Sequence, residues 1–169
     1  LNPFGPHKYP KWLVLEVGVG KPGDMKETTS WLRTDVVIIT AIGDTPAHIE
    51  FYNSRKNLVE EKSGLIKTLK KDGLLVLNGD DETVLEMKSK TKCRTIIYGF
   101  HSGADFLASS DNIVYSSKKA NSEMIPTGVT FKVDEKGNSL PVVINGAFGR
   151  NHVYAGLAAL AVASGLSFN

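Results

Sequence analysis

At 169 residues, 41% hydrophobic and 22% charged, the chain has the size and composition of one globular domain with a substantial core. Its formal charge of +2, with the signs interspersed, provides no electrostatic footprint for nucleic acid. The single Cys93 excludes an internal disulfide and points to a reducing cytoplasm, no apolar run reaches membrane-spanning length, and the N-terminus lacks a signal pattern.

Residues 1–11, rich in Pro, Gly and charge, read as a loop entering the domain. The chain begins at Leu1 rather than Met and its last helix-like run stops at Gly165, so both ends read as cut from something longer. Trp12–Val17 is a near-continuous apolar run, the pattern of a strand covered on both faces. Asp24 is placed to cap a helix running to Leu32, and Asp35–Thr40 reads as a second buried strand. After a Gly/Asp/Pro loop over 41–47, a long helix is expected from Ser54 to Lys71. Gly73–Asn78 predicts a third strand, Asp80–Ser89 a helix, and Arg94–Tyr98 a fourth strand. Strands alternating with helices predict a mostly parallel α/β sheet with right-handed crossovers. Beyond residue 105, Gly128–Val133 and Leu140–Ile144 flank the turn-like Asp134–Asn138, a small antiparallel hairpin addition. Gly149–Gly165, dense in Ala and Leu, closes the chain as a tightly packed helix. The pairs Lys70-Lys71 and Lys118-Lys119 read as solvated surface.

Several positions carry chemistry. Gly18, Gly20 and Gly23 satisfy G-x-G-x-x-G after an expected strand, with Asp44 beyond, so a dinucleotide fingerprint has to be weighed. Any strand-to-helix turn needing positive φ produces the same spacing, and Pro22 supplies no N–H to a pyrophosphate. Glu16 falls at the carboxyl end of the first expected strand, where open parallel sheets bind ligands. A carboxylate among apolar neighbours there is costly unless a cation or donors meet it; the alternative is a solvated strand end. His48, in the loop after the second strand, should emerge on the same sheet edge, although a loop histidine is ordinarily surface. Lys62 lies on the stripe formed by Leu58, Leu65, Ile66 and Leu69, where it either snorkels or presents an amine open to modification. Asn78-Gly-Asp-Asp81 closes the third strand with polar residues that turn chemistry and helix capping explain. No Walker A sequence occurs in the chain.

Together these stretches resemble the central, ATPase domain of the Mur ligases, the ATP-dependent amide-forming enzymes of peptidoglycan synthesis. Leu15-Glu-Val-Gly-Val-Gly-Lys-Pro-Gly-Asp24 is similar to the Glu, Gly, Pro-Gly-acidic pattern of the MurF-type branch. Ile39-Thr-Ala-Ile-Gly43 with Ala47-His-Ile-Glu50 resembles the family's Thr-Asn-Ile-Gly and His-Leu-Glu. Glu61-Lys-Ser-Gly64 resembles the stretch carrying a carbamylated lysine, and Leu77-Asn-Gly-Asp-Asp81 resembles Leu-Asn-Ala-Asp-Asp. Gly149-Arg-Asn-His-Val-Tyr154 resembles Gly-Arg-His-Asn-Val-Tyr, followed in the family by Asn. The likeness runs from residue 12 nearly to the end, in family order.

That resemblance implies a P-loop-NTPase-like fold without its P-loop, and ATP and Mg2+ as cofactors. It implies metal binding by Glu16, His48 and a carbamylated Lys62, with His48 and Lys62 as catalytic groups. Asn78, Asn151 and His152 fall at nucleotide-contacting positions. The implied substrates are UDP-MurNAc-tripeptide and D-Ala-D-Ala, joined through an acyl phosphate in the cytoplasm, with no nucleic acid and no membrane span. The partners include the UDP-binding and amine-binding domains of the same chain, so residues 1–169 alone are expected to be inactive. Departures are Ala41 for the family's Asn, the Asn151-His152 order, and Ala155 for Asn. The alternatives are a folylpolyglutamate synthetase-like ligase, which carries a similar Glu-Val-Gly and Glu-Lys-x-Gly, a non-catalytic homologue, and a nicotinamide-binding oxidoreductase.

Overall fold

The computed structural model describes residues 10–116 and 124–168. The expected entry loop over residues 1–9 and the pair Lys118-Lys119 lie outside them.

Among the described residues the α-helices and β-strands follow in the order α1 (Asp24–Trp31), β1 (Thr34–Ile39), α2 (Arg55–Ser63), β2 (Leu69–Asn78), α3 (Glu82–Glu86), β3 (Arg94–Gly99), β4 (Phe106–Tyr115), β5 (Pro126–Glu135), β6 (Asn138–Asn145) and α4 (Arg150–Gly165). One six-stranded sheet has the order β1-β2-β3-β4-β5-β6. The pairs from β1 to β4 are parallel, and β5 and β6 add on antiparallel. The expected α/β class and hairpin addition are therefore observed. The hairpin closes through Lys136 and Gly137, at φ 49° and 84°, a two-residue turn with both centres in the left-handed region.

Alternation along β2 builds both halves of the core. Leu74 and Val76 face α4 with Ile96, Tyr98, Phe131, Val153 and Leu157, whereas Leu75 and Leu77 face α2 and α3 with Val37, Leu58, Val84 and Met87. A strand covered on both sides must be apolar at every position, which is why 74–77 reads as an unbroken run. At the top of α4, Gly156 lets the helix close on Phe131 and Ile144, whose side chains lie 3.2 Å from where its Cβ would stand.

Three expectations are corrected. Trp12–Val17 forms no strand: Trp12 to Leu15 are 49–91% exposed, and β1 pairs only with β2. A strand exists through a partner for its N–H and C=O groups, and among the described residues this run finds none. Trp12 instead meets the ring of Phe168 edge-on, 4.8 Å between centroids, at the far end of α4. The helix expected over 54–71 ends at Ser63 and tightens into a 3-10 turn over Gly64–Thr68. Thr68 then donates to Leu65 O and meets Thr34 Oγ1, both at 2.8 Å, and Leu69 already pairs with Thr34, so residues 69–72 belong to β2. Finally, β4 was not foreseen. Its polar centre, Ser109-Ser110-Asp111-Asn112, reads as loop and is accommodated as a bulge, with Ser110 at φ 56°.

Candidate functional site

Because β1, β2 and β3 run parallel, the loops leaving them meet at one sheet edge, the place where open α/β sheets hold ligands. The four residues closing β2 tie that edge together. Asn78 is buried, and its Oδ1 accepts the Asp80 N–H at 3.0 Å, fixing the turn. Asp81 caps α3 by accepting from Val84 N at 3.1 Å, and its second oxygen accepts from Ile42 N and Gly43 N at 2.7 and 2.9 Å. Burial pushes the Asp81 carboxyl up, but the N–H groups of Gly43, Ile42 and Val84 outweigh it and hold the group below the usual carboxylate range.

Asp80 turns the other way. Its carboxylate accepts from Phe100 N at 2.7 Å, His101 N at 2.9 Å and the Tyr154 hydroxyl at 2.8 Å. Two glycines make this possible. A Cβ on Gly99 would stand 2.8–2.9 Å from the Asp80 carboxylate, and one on Gly79 would strike the His101 ring and Ile97. Burial, then the bond to Asp80, pushes the Tyr154 phenol up to about 12, and burial first of all pushes Tyr98 to about 12 as well. Arg150, at the start of α4, chelates Asp111 at 2.9 and 3.1 Å and lies 4.5 Å over the Phe100 ring. Arg55 reaches across from α2 to Gly43 O and Thr83 Oγ1, each at 2.9 Å. Sequence reasoning credited 78–81 with turn and cap chemistry, which is correct for Asp81. It missed Asp80 as the anchor of α4, because no local pattern announces a bond to Tyr154.

A second group surrounds the glycine turn before α1. Asp24 does not cap that helix; Gly23, at φ 100°, occupies the cap position. The Asp24 carboxylate folds back to accept from Gly20 N and Lys21 N, both at 2.9 Å, and these N–H groups hold it below its ordinary value. Those are among the donors a pyrophosphate would need. With no strand ahead of the turn among the described residues, the dinucleotide reading has no structural support. The N-terminal N–H groups of α1 are served from α2 instead, where Glu61 Oε1 accepts from Gly23 N at 2.8 Å and Met25 N at 2.9 Å.

The residues expected to form a site are placed as follows. Glu16 is exposed in a segment outside every helix and strand, two residues before Gly18. His48 is exposed in the left-handed region at φ 67°, opening the 3-10 turn Ile49–Phe51, with its ring 6.3 Å from that of Phe51. Lys62 is half-buried in the last turn of α2, between the buried Leu58 and Ile66, with Leu65 and Leu69 partly buried beside them. Asn78 stands at the carboxyl edge, and Asn151 and His152 are exposed in the first turn of α4, which Asp80 and Tyr154 fasten to that edge. Thus Asn78 shares one network with the turn that carries Asn151 and His152. Among the described residues no three His, Cys, Asp or Glu side chains gather as a metal cluster.

The fold and this edge define an open α/β domain of the kind that binds a ligand at the carboxyl ends of its strands. Residues 6–163 match the Mur ligase middle domain, and the chain belongs to that family. It is 30% identical over 93 residues to the UDP-N-acetylmuramoyl-tripeptide–D-alanyl-D-alanine ligase of Bacillus subtilis, covering 55% of this chain and 19% of that protein. It is also 30% identical over 145 residues to the UDP-N-acetylmuramoyl-L-alanyl-D-glutamate–2,6-diaminopimelate ligase of Chlamydia caviae, covering 86% and 27%. Among solved structures, MurF from Acinetobacter baumannii superposes with a TM-score of 0.73 at 20% identity, covering 92% of this chain and 31% of that one. A MurF ligase from Thermotoga maritima in complex with ADP gives 0.69 at 19%, covering 89% and 32%. The chain thus spans 19–32% of the length of these proteins.

Proposed function

We propose that these residues are the middle unit of a longer, cytoplasmic MurF-type ligase that joins D-Ala-D-Ala to UDP-MurNAc-tripeptide at the expense of ATP. The observation that carries the reading is the carboxyl-edge network, in which Asp80 and Asp81 bind the loops after β1 and β3 and the first turn of α4 into one surface. Asn78, Asn151 and His152 would meet the nucleotide there. The long Pro-Gly-acidic turn after Glu16 and the family order of the motifs favour the MurF-type branch.

Mg2+ keeps several waters and takes only one or two protein carboxylates beside substrate phosphates, so a sparse donor set suits it. Glu16, His48 and a carbamylated Lys62 would be that set, and the bound ion would neutralise charge developing on the transferred phosphoryl group. Lys62, half-buried in the last turn of α2 and four residues from each of the buried Leu58 and Ile66, would carry the modification. The chain's own share is positioning: a rigid sheet edge presents the phosphates in line with the peptide carboxylate, and the amine then displaces phosphate from the resulting acyl phosphate. Residues 1–169 by themselves are predicted to show no turnover.

The similarity to the diaminopimelate ligase over 86% of the chain favours a second reading, another amino-acid-adding branch of the same family. Phosphate release by the full-length protein with ATP, offered either UDP-MurNAc-tripeptide with D-Ala-D-Ala or the shorter precursor UDP-MurNAc-L-alanyl-D-glutamate with diaminopimelate, separates the two. Turnover with D-Ala-D-Ala alone supports the first reading. Turnover with diaminopimelate on the shorter precursor supports the second, and none with any acceptor indicates a non-catalytic homologue.

A further inference from the structure

Helix α1 begins without a cap of its own. Gly23 has no side chain to offer, and Asp24 spends its carboxylate on Gly20 and Lys21. The exposed N–H groups of a first helical turn attract an anion. Here the anion comes from 36 to 38 residues away: Glu61 Oε1 accepts from both Gly23 N and Met25 N. Just past α2 the chain also approaches α1 closely, where a Cβ on Gly64 would stand 2.8 Å from Met25 Cγ. Glu61 is the residue before Lys62, and the turn it holds is the one that leaves Glu16. The buried, unpartnered hydroxyl of Tyr52 lies close enough to this group that, after burial, the charges of Glu61 and Asp24 push it up.

We propose that Glu61 is a positioning residue that fastens the Glu16–Gly23 turn to the helix bearing Lys62, setting the separation of the two groups. The inference rests on the reading of Glu16 and Lys62 as one metal site. It gives the short α2 a purpose beyond covering β1 and β2. Sequence spacing alone would place Glu16 and Lys62 with a freedom that a metal site cannot tolerate.

The test uses Glu61→Ala and Glu61→Gln in the full-length protein. Alanine keeps the helix propensity of α2 while removing the acceptor, and the amide oxygen of glutamine still accepts from both N–H groups. Amide exchange by NMR should rise about tenfold at Gly23 and Met25 in Glu61→Ala, as for one lost hydrogen bond, with Leu58 unchanged and Glu61→Gln close to wild type. Mn2+ then serves as the probe. In wild type it should broaden the Glu16 and Lys62 resonances over one concentration range. In Glu61→Ala the Lys62 broadening should require severalfold more Mn2+, with recovery in Glu61→Gln. Unchanged exchange in Glu61→Ala overturns the anchoring. Faster exchange with an unchanged Mn2+ titration reduces Glu61 to a helix cap and overturns the positioning role. A wild-type chain whose Glu16 and Lys62 ignore Mn2+, even with nucleotide added, overturns the metal reading itself and this role with it.

Discussion

Replacing Asp80 with alanine removes the acceptor of three hydrogen bonds, from Phe100 N, His101 N and the Tyr154 hydroxyl, at 2.7 to 2.9 Å. All three donors lie near solvent, which screens the carboxylate, so each bond is taken at about 0.5–1 kcal/mol, the lower part of the general range rather than the value for a buried charged acceptor, or about 2 kcal/mol together. For a domain of this size that corresponds to a fall of roughly 4–8 °C in Tm. Asparagine should recover only part of it. Oδ2 serves Phe100 and Tyr154 while Oδ1 serves His101, so an amide nitrogen at either place faces a backbone N–H it cannot accept from. Urea unfolding of Asp80→Ala, Tyr154→Phe and the double variant isolates the single Asp80–Tyr154 bond, with an expected coupling of about 0.5–1 kcal/mol. In the same Asp80→Ala protein the Tyr154 phenol should titrate below its value of about 12 yet stay above 10, because burial is the larger cause. An Asp80→Ala chain as stable as wild type, or a coupling of zero, refutes the idea that this carboxylate anchors α4 to the sheet edge.

The other predictions concern neighbouring parts of the fold. Gly79→Ala should destabilise by about 1–3 kcal/mol, since its Cβ meets Ile97 Cγ2 at 2.6 Å and the His101 ring. Gly20→Ala should be much milder in the same melt, with only Asp24 Oδ2 nearby at 3.5 Å. Asp81 is held below its usual 3.8 when folded, so the folded chain binds fewer protons than the unfolded one around that value. Its contribution is complete above pH 4 or so and is lost as the pH falls through the lower folded value; Asp81→Asn should flatten that part of the Tm-versus-pH curve. At the hairpin, Lys136 is a non-glycine residue at φ 49°, and Lys136→Asn should raise stability by a few tenths of a kcal/mol in urea unfolding.

The elements written in local pattern were legible before the structure. Unbroken apolar runs announced β1, β2 and β3, alternation around Asp134–Asn138 announced the hairpin, and the Ala/Leu-rich stretch announced α4. What escaped depends on partners distant in sequence. Trp12–Val17 carries every mark of a buried strand, yet a strand also needs a neighbour, and hydropathy does not supply one. The end of α2 is decided by Thr68 meeting Thr34 across the sheet and by the approach of Met25 to Gly64, neither visible in residues 54–71 themselves. The candidate site divides the same way. Asn78 is linked to α4 through Asp80 and Tyr154. Asp80 and Glu61, which hold the pieces in place, were invisible because their bonds span 20 to 74 and 36 to 38 residues.

The central claim is that Glu16 and Lys62 belong to one ion site facing a nucleotide at this edge. Anomalous diffraction from crystals of the full-length protein grown with Mn2+ and ADP tests it most directly. The account predicts an Mn2+ peak at coordination distance, about 2.0–2.2 Å, from the Glu16 carboxylate or a carbamate on Lys62, with the nucleotide against the first turn of α4. Nucleotide bound at that turn, with Glu16 and Lys62 both remote from every Mn2+ peak, would contradict it.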